Sequence, residues 1–449
     1  MSEFPYSRLR RLPDVEAKDL QAHDATDVLL VERAIGLGID GAQTVVIGDE
    51  YGAITLALTH AGLHGLRVHQ DLATGRRALL RNAEELMGLA TPMPFTSHEL
   101  DAELLAGAKL VLLQLPKSLA ELDEISDAVA RWAASDVVLI AGGRVKHMTL
   151  SQNEVLGRRF AHVQPQRAER KSRLIVASEP LPVSDESDYP VTAQHDGLVL
   201  MAHGGAFAGA RLDIGTRVLR DALGLDGALR QAQGPTPSVA DPSDPVADPP
   251  APVAEPVEAS PSAPVADPSP SVADPSPPVA DPSDPVADPS APVAELVEAS
   301  HDVLDLGCGT GALAVAYALT HPTARVVATD RSAAAVASAR ATVVANAVTE
   351  RVTVTHDDAA SDLPDASFDV VLLNPPFHLG SSIHTGAATR LFEAAARVLR
   401  PGGELFTVFN SSLGYRPELT RLIGVTEQLQ RTSKFTVTRS VRRASDLPA

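Results

Sequence analysis

The sequence predicts an α/β protein made of two doubly wound, mostly parallel sheets in tandem, and three observations lead there. Short apolar runs of strand length alternate with longer helix-like stretches, first in one half of the chain and then again in the other. A chain of 449 residues, 44% of them hydrophobic, is long enough to build two cores. Between the two patterns lies a segment, 231–300, whose composition cannot build one.

In the first half the predicted strands are Thr44–Ile47, Leu66–His69, Lys109–Leu115, Val137–Ala141 and Leu174–Ala177, with helices over Ala73–Leu86 and Leu119–Ala133. A stretch from Leu181 to Arg230 follows, holding Ala210-Arg-Leu-Asp-Ile-Gly215 and a helical run at Thr216–Leu223. It is expected to pack on the C-terminal domain, which makes the segment after it an insertion within that domain. Residues 231–300 hold 19 of the 35 prolines in near-repeats such as Pro245-Val-Ala-Asp-Pro249 and Pro264-Val-Ala-Asp-Pro268. Proline removes donors and fixes φ, and so little large apolar surface cannot offset the entropy of ordering. A disordered, partly polyproline-like insertion is expected there. In the second half the strands are Asp302–Leu306, Arg325–Thr329, Val352–His356, Asp369–Leu373 and Glu404–Phe409, separated by helices at Ala312–Thr320, Ala333–Asn346 and Thr385–Leu399. An alternating run, Phe435–Val441, suits an antiparallel edge strand. The expected organisation is therefore a first domain over 1–180, a link and domain start over 181–230, the insertion over 231–300, and a second domain over 301–449.

The net charge of −19 is unevenly spread. The insertion carries twelve acids and no Lys or Arg, so the remainder carries only −7. Two zones are locally basic: Arg144–Arg173 has eight Lys and Arg against two acids, and Arg390 onward has ten against five. Local patches matter more than totals for contact with phosphate. A single cysteine, Cys308, excludes an intramolecular disulfide framework and suits a reducing compartment. No stretch of 18 apolar residues occurs, and Met1–Arg11 lacks the apolar run of a secretory signal, so a cytoplasmic protein without a membrane span is expected.

The chemistry concentrates in the second half. Val303-Leu-Asp-Leu-Gly-Cys-Gly-Thr-Gly311 runs from a buried strand through Gly307, Gly309 and Gly311 into a helix. Glycines let the backbone approach a ligand, and the helix start favours an anionic group. Asp305 is placed to hold the loop and meet an ammonium group. Asp330, at the end of the second strand, is placed to accept from ribose hydroxyls. Those features alone serve a dinucleotide equally well. Phe368-Asp-Val-Val-Leu-Leu-Asn-Pro-Pro-Phe-His378 decides between them. The Asn374 side-chain oxygen and the Pro375 carbonyl can accept both hydrogens of a planar amine while Phe377 stacks on its ring. An electrophilic methyl is then the natural second reactant, and S-adenosyl-L-methionine the cofactor. Asp357 and Asp358 follow the third strand, and Asp358 is the stronger candidate to accept from an adenine amine. His378 and His384 lie near the site without an assigned role. No metal-ligand spacing occurs.

With these residues the chain resembles the class I S-adenosylmethionine-dependent methyltransferases, and within them the tandem-domain ribosomal RNA guanine-N2 methyltransferases. It is most similar to the large-subunit methyltransferase G family and next to the small-subunit methyltransferase C family. Asn374-Pro-Pro-Phe-His378, Leu212-Asp-Ile-Gly215, Asn410-Ser-Ser-Leu-Gly-Tyr415 and Lys434-Phe435 carry the resemblance. It implies two Rossmann-like, seven-stranded domains, the second binding cofactor and catalysing, the first a degenerate copy that helps with RNA. Ile47-Gly-Asp-Glu-Tyr-Gly52 and Leu113-Gln-Leu-Pro-Lys117 in the first half, where glycines and Asn-Pro-Pro-Phe would stand, agree with that division. It further implies a ribosomal RNA, ribosomal subunit or precursor as partner, and a monomer. Methylation of a protein glutamine amide or of adenine N6 uses the same chemistry, and a non-catalytic RNA-binding factor uses the same fold.

Overall fold

The computed structural model describes residues 3–17, 20–88, 92–226, 301–376 and 385–444. The first half forms strands β1 (Thr44–Ile47), β2 (Leu66–His69), β3 (Phe95–Ser97), β4 (Leu110–Gln114), β5 (Val138–Arg144), β6 (Phe160–Pro165) and β7 (Ser172–Pro180). Its helices are α1 (Ala25–Leu37), α2 (Ala53–His60), α3 (Ala73–Met87), α4 (Ala102–Leu105), α5 (Leu119–Trp132) and α6 (Leu150–Leu156). A hairpin, β8 (Val191–His195) and β9 (Leu198–Ala202), and helix α7 (Ile214–Ala222) follow. The second half adds β10 (Asp302–Leu306), α8 (Ala312–Thr320), β11 (Arg325–Asp330), α9 (Ala333–Ala345), β12 (Val352–His356) and β13 (Phe368–Leu373). It ends with α10 (Thr385–Val398), β14 (Leu399–Asn410), α11 (Arg416–Leu422), β15 (Thr426–Arg431) and β16 (Phe435–Val441).

The two seven-stranded sheets repeat one another strand for strand, β3-β2-β1-β4-β5-β7-β6 and β12-β11-β10-β13-β14-β16-β15. In each the first five strands are parallel, and the chain then returns antiparallel beside the fifth. Helices cover both faces of a doubly wound sheet, so its central strands are continuous apolar runs. Thr44-Val-Val-Ile47 is buried at all four positions, and Val303-Leu-Asp-Leu306 at all four of its own. Each half has a core on either side of its sheet, the first around Leu30, Ile54 and Leu112 and around Val111, Leu122 and Leu139, the second around Val315 and Val326 and around Phe392 and Leu405.

One expectation changes. Phe435–Val441 is antiparallel but not an edge: it pairs with β14 on one side and β15 on the other. The true edge, Thr-Glu-Gln-Leu-Gln-Arg, is so polar that no alternation marks it, and it is mostly exposed. Strands β3, β6 and β8 leave little trace for a similar reason, being three residues long or largely exposed, whereas β9, buried or half-buried throughout, is an apolar run that the sequence reading leaves within the link. The 231–300 insertion lies outside the described residues.

The hairpin and α7 belong to the second core, where Leu198, Leu200, Leu212, Leu219 and Leu225 pack with Val303, Leu313 and Val370. Strand β9 meets helix α9 through a polar ladder. Ser338, Thr342 and Asn346, one helical turn apart, accept from the N–H groups of His203, Met201 and Val199 at 2.9, 3.0 and 3.1 Å. Among the described residues no helix is long and apolar enough to cross a membrane.

Candidate active site

The loop from β10 to α8 is held against the end of β11. Gly307 and Cys308 donate to the Thr329 carbonyl at 2.9 and 3.0 Å. Gly309 donates to Asp330 Oδ2 at 2.9 Å, and Ser332 N–H to Oδ1 at 2.9 Å. The loop glycines hold φ of 77°, 53° and 78°, which L side chains rarely adopt. Their surroundings differ. A Cβ on Gly309 would project into open space, so conformation and ligand approach are what favour glycine there, whereas one on Gly311 would press on Ala339 at 3.1 Å. Each Asp330 oxygen has accepted one N–H and keeps a lone pair for a ligand hydroxyl. Burial pushes its carboxyl above the usual range.

Asp305 lies behind this loop, 1% exposed, with Oδ2 accepting from Ala314 N–H at 2.9 Å in the first turn of α8. It holds the loop and helix start together, and its carboxylate is turned to the helix. Burial first, opposed by the Ala314 N–H and reinforced by Asp330, pushes its pKa up to about 7. Cys308 is buried, and burial raises its thiol pKa, the environment of a packing residue and not of a nucleophile.

Asn374 follows β13 at the carboxyl edge of the sheet. Its Nδ2 donates to Asp213 Oδ2 at 2.9 Å and to Thr216 Oγ1 at 3.0 Å. A carboxylate oxygen can only accept, so the side chain's NH2 group must face Asp213. The Asn374 Oδ1 is buried and has no hydrogen-bond partner. Asp213 caps helix α7 by accepting from Thr216 N–H at 3.2 Å. Gly215 completes the fit, since a Cβ there would stand 2.9 Å from Asn374 Oδ1. The sequence showed Leu212-Asp-Ile-Gly215 as a motif but gave it no task. An N-cap aspartate ahead of a helical run was its legible part, and its partner 161 residues away was not.

Asp330, Asp357, Asp358, Asn374 and Pro375 all line one cavity of about 610 Å³ with the glycine loop. Asp357 is 3% exposed and accepts from Asp362 N–H, Ser361 Oγ and Arg77 at 2.9, 2.6 and 2.7 Å. Burial raises its pKa, but those bonds outweigh it and leave the group below its ordinary value. Asp358 pairs with Arg390 of α10. Phe377, His378 and His384 lie outside the described residues. Among the described residues no cluster of His, Cys, Asp or Glu could hold a metal ion.

The first half keeps the frame of this site and loses its contents. Gly48 and Gly52 sit at φ of 80° and 88°, as Gly307 and Gly311 do, but Glu50 stands where Gly309 would. Gln70 occupies the position of Asp330, next to the α3 helix start. Tyr51, 7% exposed, binds Asp14 through its hydroxyl at 2.8 Å beneath the Arg11 guanidinium. Gln114 takes the place of Asn374, and its amide nitrogen donates to Asp27 in the first turn of α1.

A glycine-edged cavity with a carboxylate at the second strand end fits a nucleoside carrying an amino-acid tail, and the relatives agree. The model of the RLMG N-terminal domain matches residues 2–181, and that of the Methyltransferase small domain matches residues 290–439. The ribosomal RNA large subunit methyltransferase G of Streptomyces avermitilis is 31% identical over 97% of this chain and 97% of its own. The chain belongs to the ribosomal RNA large subunit methyltransferase G family. Another member, from Shewanella amazonensis, is 30% identical over 97% of this chain and 96% of its own. The Thermus thermophilus 16S rRNA N2 G1207 methyltransferase (RsmC), solved with AdoMet and guanosine, shares the fold. Its TM-score is 0.62 at 19% identity, covering 94% of this chain and 92% of that one. As a methyltransferase G family member, the chain is an S-adenosylmethionine-dependent methyltransferase with two tandem domains of one fold.

Proposed function

We propose that this methyltransferase G family member methylates the exocyclic N2 amine of a guanine in ribosomal RNA of the large subunit. The observation that carries the reading is the unpartnered Asn374 Oδ1, aimed by Asp213 and Thr216. A planar amine brings two N–H donors, and Asn374 Oδ1 with the Pro375 carbonyl offers two acceptors. Drawing both hydrogens to one side of the ring plane pyramidalises the nitrogen and takes its lone pair out of the ring π system, toward the reacting methyl. S-adenosylmethionine supplies that methyl as an electrophile on a sulfonium. The nitrogen forms the new bond as the sulfur–carbon bond breaks, and the methylated amine then releases a proton to water. Asp330 accepts from the ribose hydroxyls, Asp358 from the adenine amine, and Phe377 stacks on the guanine, which leaves its helix to enter. The glycine loop 307–311 cradles the tail, and Asp305 holds that loop in place. The second domain, 301–449 with 181–230, does the chemistry, and residues 1–180 recognise RNA.

Asn374→Ala should lower transfer by about 10²-fold or more while leaving calorimetric binding of S-adenosylmethionine intact. Mass spectrometry of ribosomal RNA from a deletion strain should show one N2-methylguanine missing from the large-subunit RNA. Near-normal turnover by the variant, or a missing methyl on adenine or on a protein glutamine, would overturn the reading.

A further inference from the structure

The degenerate half reaches into the cofactor cavity, where Asp71 and Leu72 stand in its wall beside Asp330, Ser332 and Asp357. They sit between β2 and α3, the loop that corresponds in the second half to Asp330–Ser332 between β11 and α9. The two loops meet about a local two-fold. Leu72 and Ser332, each the residue before its helix, form an antiparallel bridge, with Ala73 N–H on Arg331 O and Ala333 N–H on Asp71 O, both at 2.8 Å.

Around this bridge the symmetry breaks in favour of the second half. Asp71 Oδ1 accepts from Ser332 Oγ at 3.0 Å and from Ala334 N–H at 2.9 Å, adding a carboxylate to the start of α9. The His356 ring ties Asp71 O and Arg331 O together at 3.0 and 2.8 Å. One turn along α3, Arg77 donates to Asp357 at 2.7 Å, to Ser361 Oγ at 2.5 Å and to Asp362 at 2.7 Å. Two residues of the first half therefore hold the two loops, Asp330–Ser332 and Asp357–Asp362, that bound one end of the cavity.

We propose that Asp71 and Arg77 are positioning residues of the cofactor site, so that the degenerate half serves S-adenosylmethionine binding as well as RNA. Ser332 N–H holds Asp330 Oδ1 at 2.9 Å, and Ser332 is itself fixed by Asp71. Removing Asp71 frees the helix start and, with it, the carboxylate that faces the ribose. Arg77 acts in the same way on Asp357, the neighbour of Asp358. Neither side chain takes part in methyl transfer.

The inference rests on Asp330 facing the cofactor, and the test separates the two claims. Calorimetric titration of S-adenosylmethionine into full-length Asp71→Ala, Arg77→Ala, Arg77→Lys and Asp330→Ala is compared with the unmodified chain. The dissociation constant should rise about ten-fold for Asp71→Ala and Arg77→Ala and be partly restored in Arg77→Lys. In turnover assays the KM for S-adenosylmethionine should rise while kcat and the KM for RNA hold. Thermal melting should match the unmodified chain, which a merely structural role would not allow. Unchanged cofactor affinity in both alanine variants, with Asp330→Ala impaired, would overturn the inference alone. Unchanged affinity in Asp330→Ala would overturn the site assignment beneath it. A weakened KM for RNA only would assign Asp71 and Arg77 to RNA instead.

Discussion

A helix that begins beneath a glycine loop turns its first N–H groups toward the loop, and both halves of the chain meet them with a buried aspartate. In the second half Asp305 reaches Ala314 N–H from the strand, at 2.9 Å. In the first, Asp49 reaches the equivalent Thr55 N–H from within the loop, at 2.8 Å, and stands 1% exposed. Burial raises both carboxyl groups above their ordinary values. The consequence for stability has a definite sign. Asp305 is protonated in the fold below about 7, whereas the unfolded chain stays ionised down to its ordinary 3.8. Across that window the folded state holds the extra proton, so stability rises as pH falls and declines as pH rises toward 7. The midpoint of thermal unfolding should thus increase from pH 7.5 to about 5.5, and Asp305→Asn should flatten that rise. Calorimetry at three pH values decides it, and an unaltered slope in the variant removes Asp305 as the source. The residue types of the site were legible because glycine, aspartate and Asn-Pro-Pro are tied to their task by geometry. Asp213 and Thr216 were not, because what they do depends on Asn374 being folded against them.

At the scale of elements, the ladder joining α9 to β9 shows how a sheet edge is satisfied without another strand. The helix reads Ala-Ala-Ala-Val-Ala-Ser-Ala-Arg-Ala-Thr-Val-Val-Ala, with Asn346 at its C-terminal end. Ser338 and Thr342 are fully buried. Thr342 Oγ1 meets both the N–H and the carbonyl of Met201, at 3.0 and 3.3 Å, so a methyl in its place strands two backbone groups. Thr342→Val should cost about 1–3 kcal/mol of unfolding free energy in urea, and Thr342→Ser much less. A loss in Thr342→Ser with none in Thr342→Val would show that the methyl, not the hydroxyl, matters. The polar stripe at every fourth position was visible in the sequence. Which strand it faced was not, since Leu198–Ala202 lies more than 130 residues earlier in the chain. Strand β16 teaches the converse: its alternation was legible, but its place inside the sheet depended on a polar neighbour, β15, that leaves no periodic trace.

At the scale of the whole molecule, charge is the least transparent property. Of the basic residues between Arg144 and Arg173, Arg144, Arg158, Arg159 and Arg170 are engaged by Asp24, Asp123, Asp188 and Glu32. Near the C-terminus Arg397, Arg400 and Arg439 are similarly paired. Exposed pairs of this kind add little stability but neutralise cations that the sequence counts as free. Arg167 and Lys171, at the β6–β7 turn, are exposed and have no acidic partner among the described residues. Against so reduced a positive surface, the twelve acids of 231–300 weigh heavily on an RNA partner. Replacing them with Ser or Asn should tighten binding of a ribosomal RNA fragment at ~0.05 M salt and leave it unchanged at ~1 M, where the Debye length is about 3 Å. Filter binding across that range measures it. An equal affinity at low salt would show that the insertion's charge does not act on RNA.

By itself the sequence determined two α/β repeats, one glycine loop fit to cradle a ligand, and one Asn-Pro-Pro that could hold a planar amine. Period, glycine placement and proline are local constraints, and local constraints survive in a linear text. The tertiary structure alone decided that Asp213 holds the Asn374 amide nitrogen, that β15 and not β16 ends the sheet, and that Asp71 and Arg77 of the eroded copy bond to two loops at the cavity of the intact one. The first and last of these join residues 161 to 285 positions apart, and only a folded backbone brings such partners within hydrogen-bond reach.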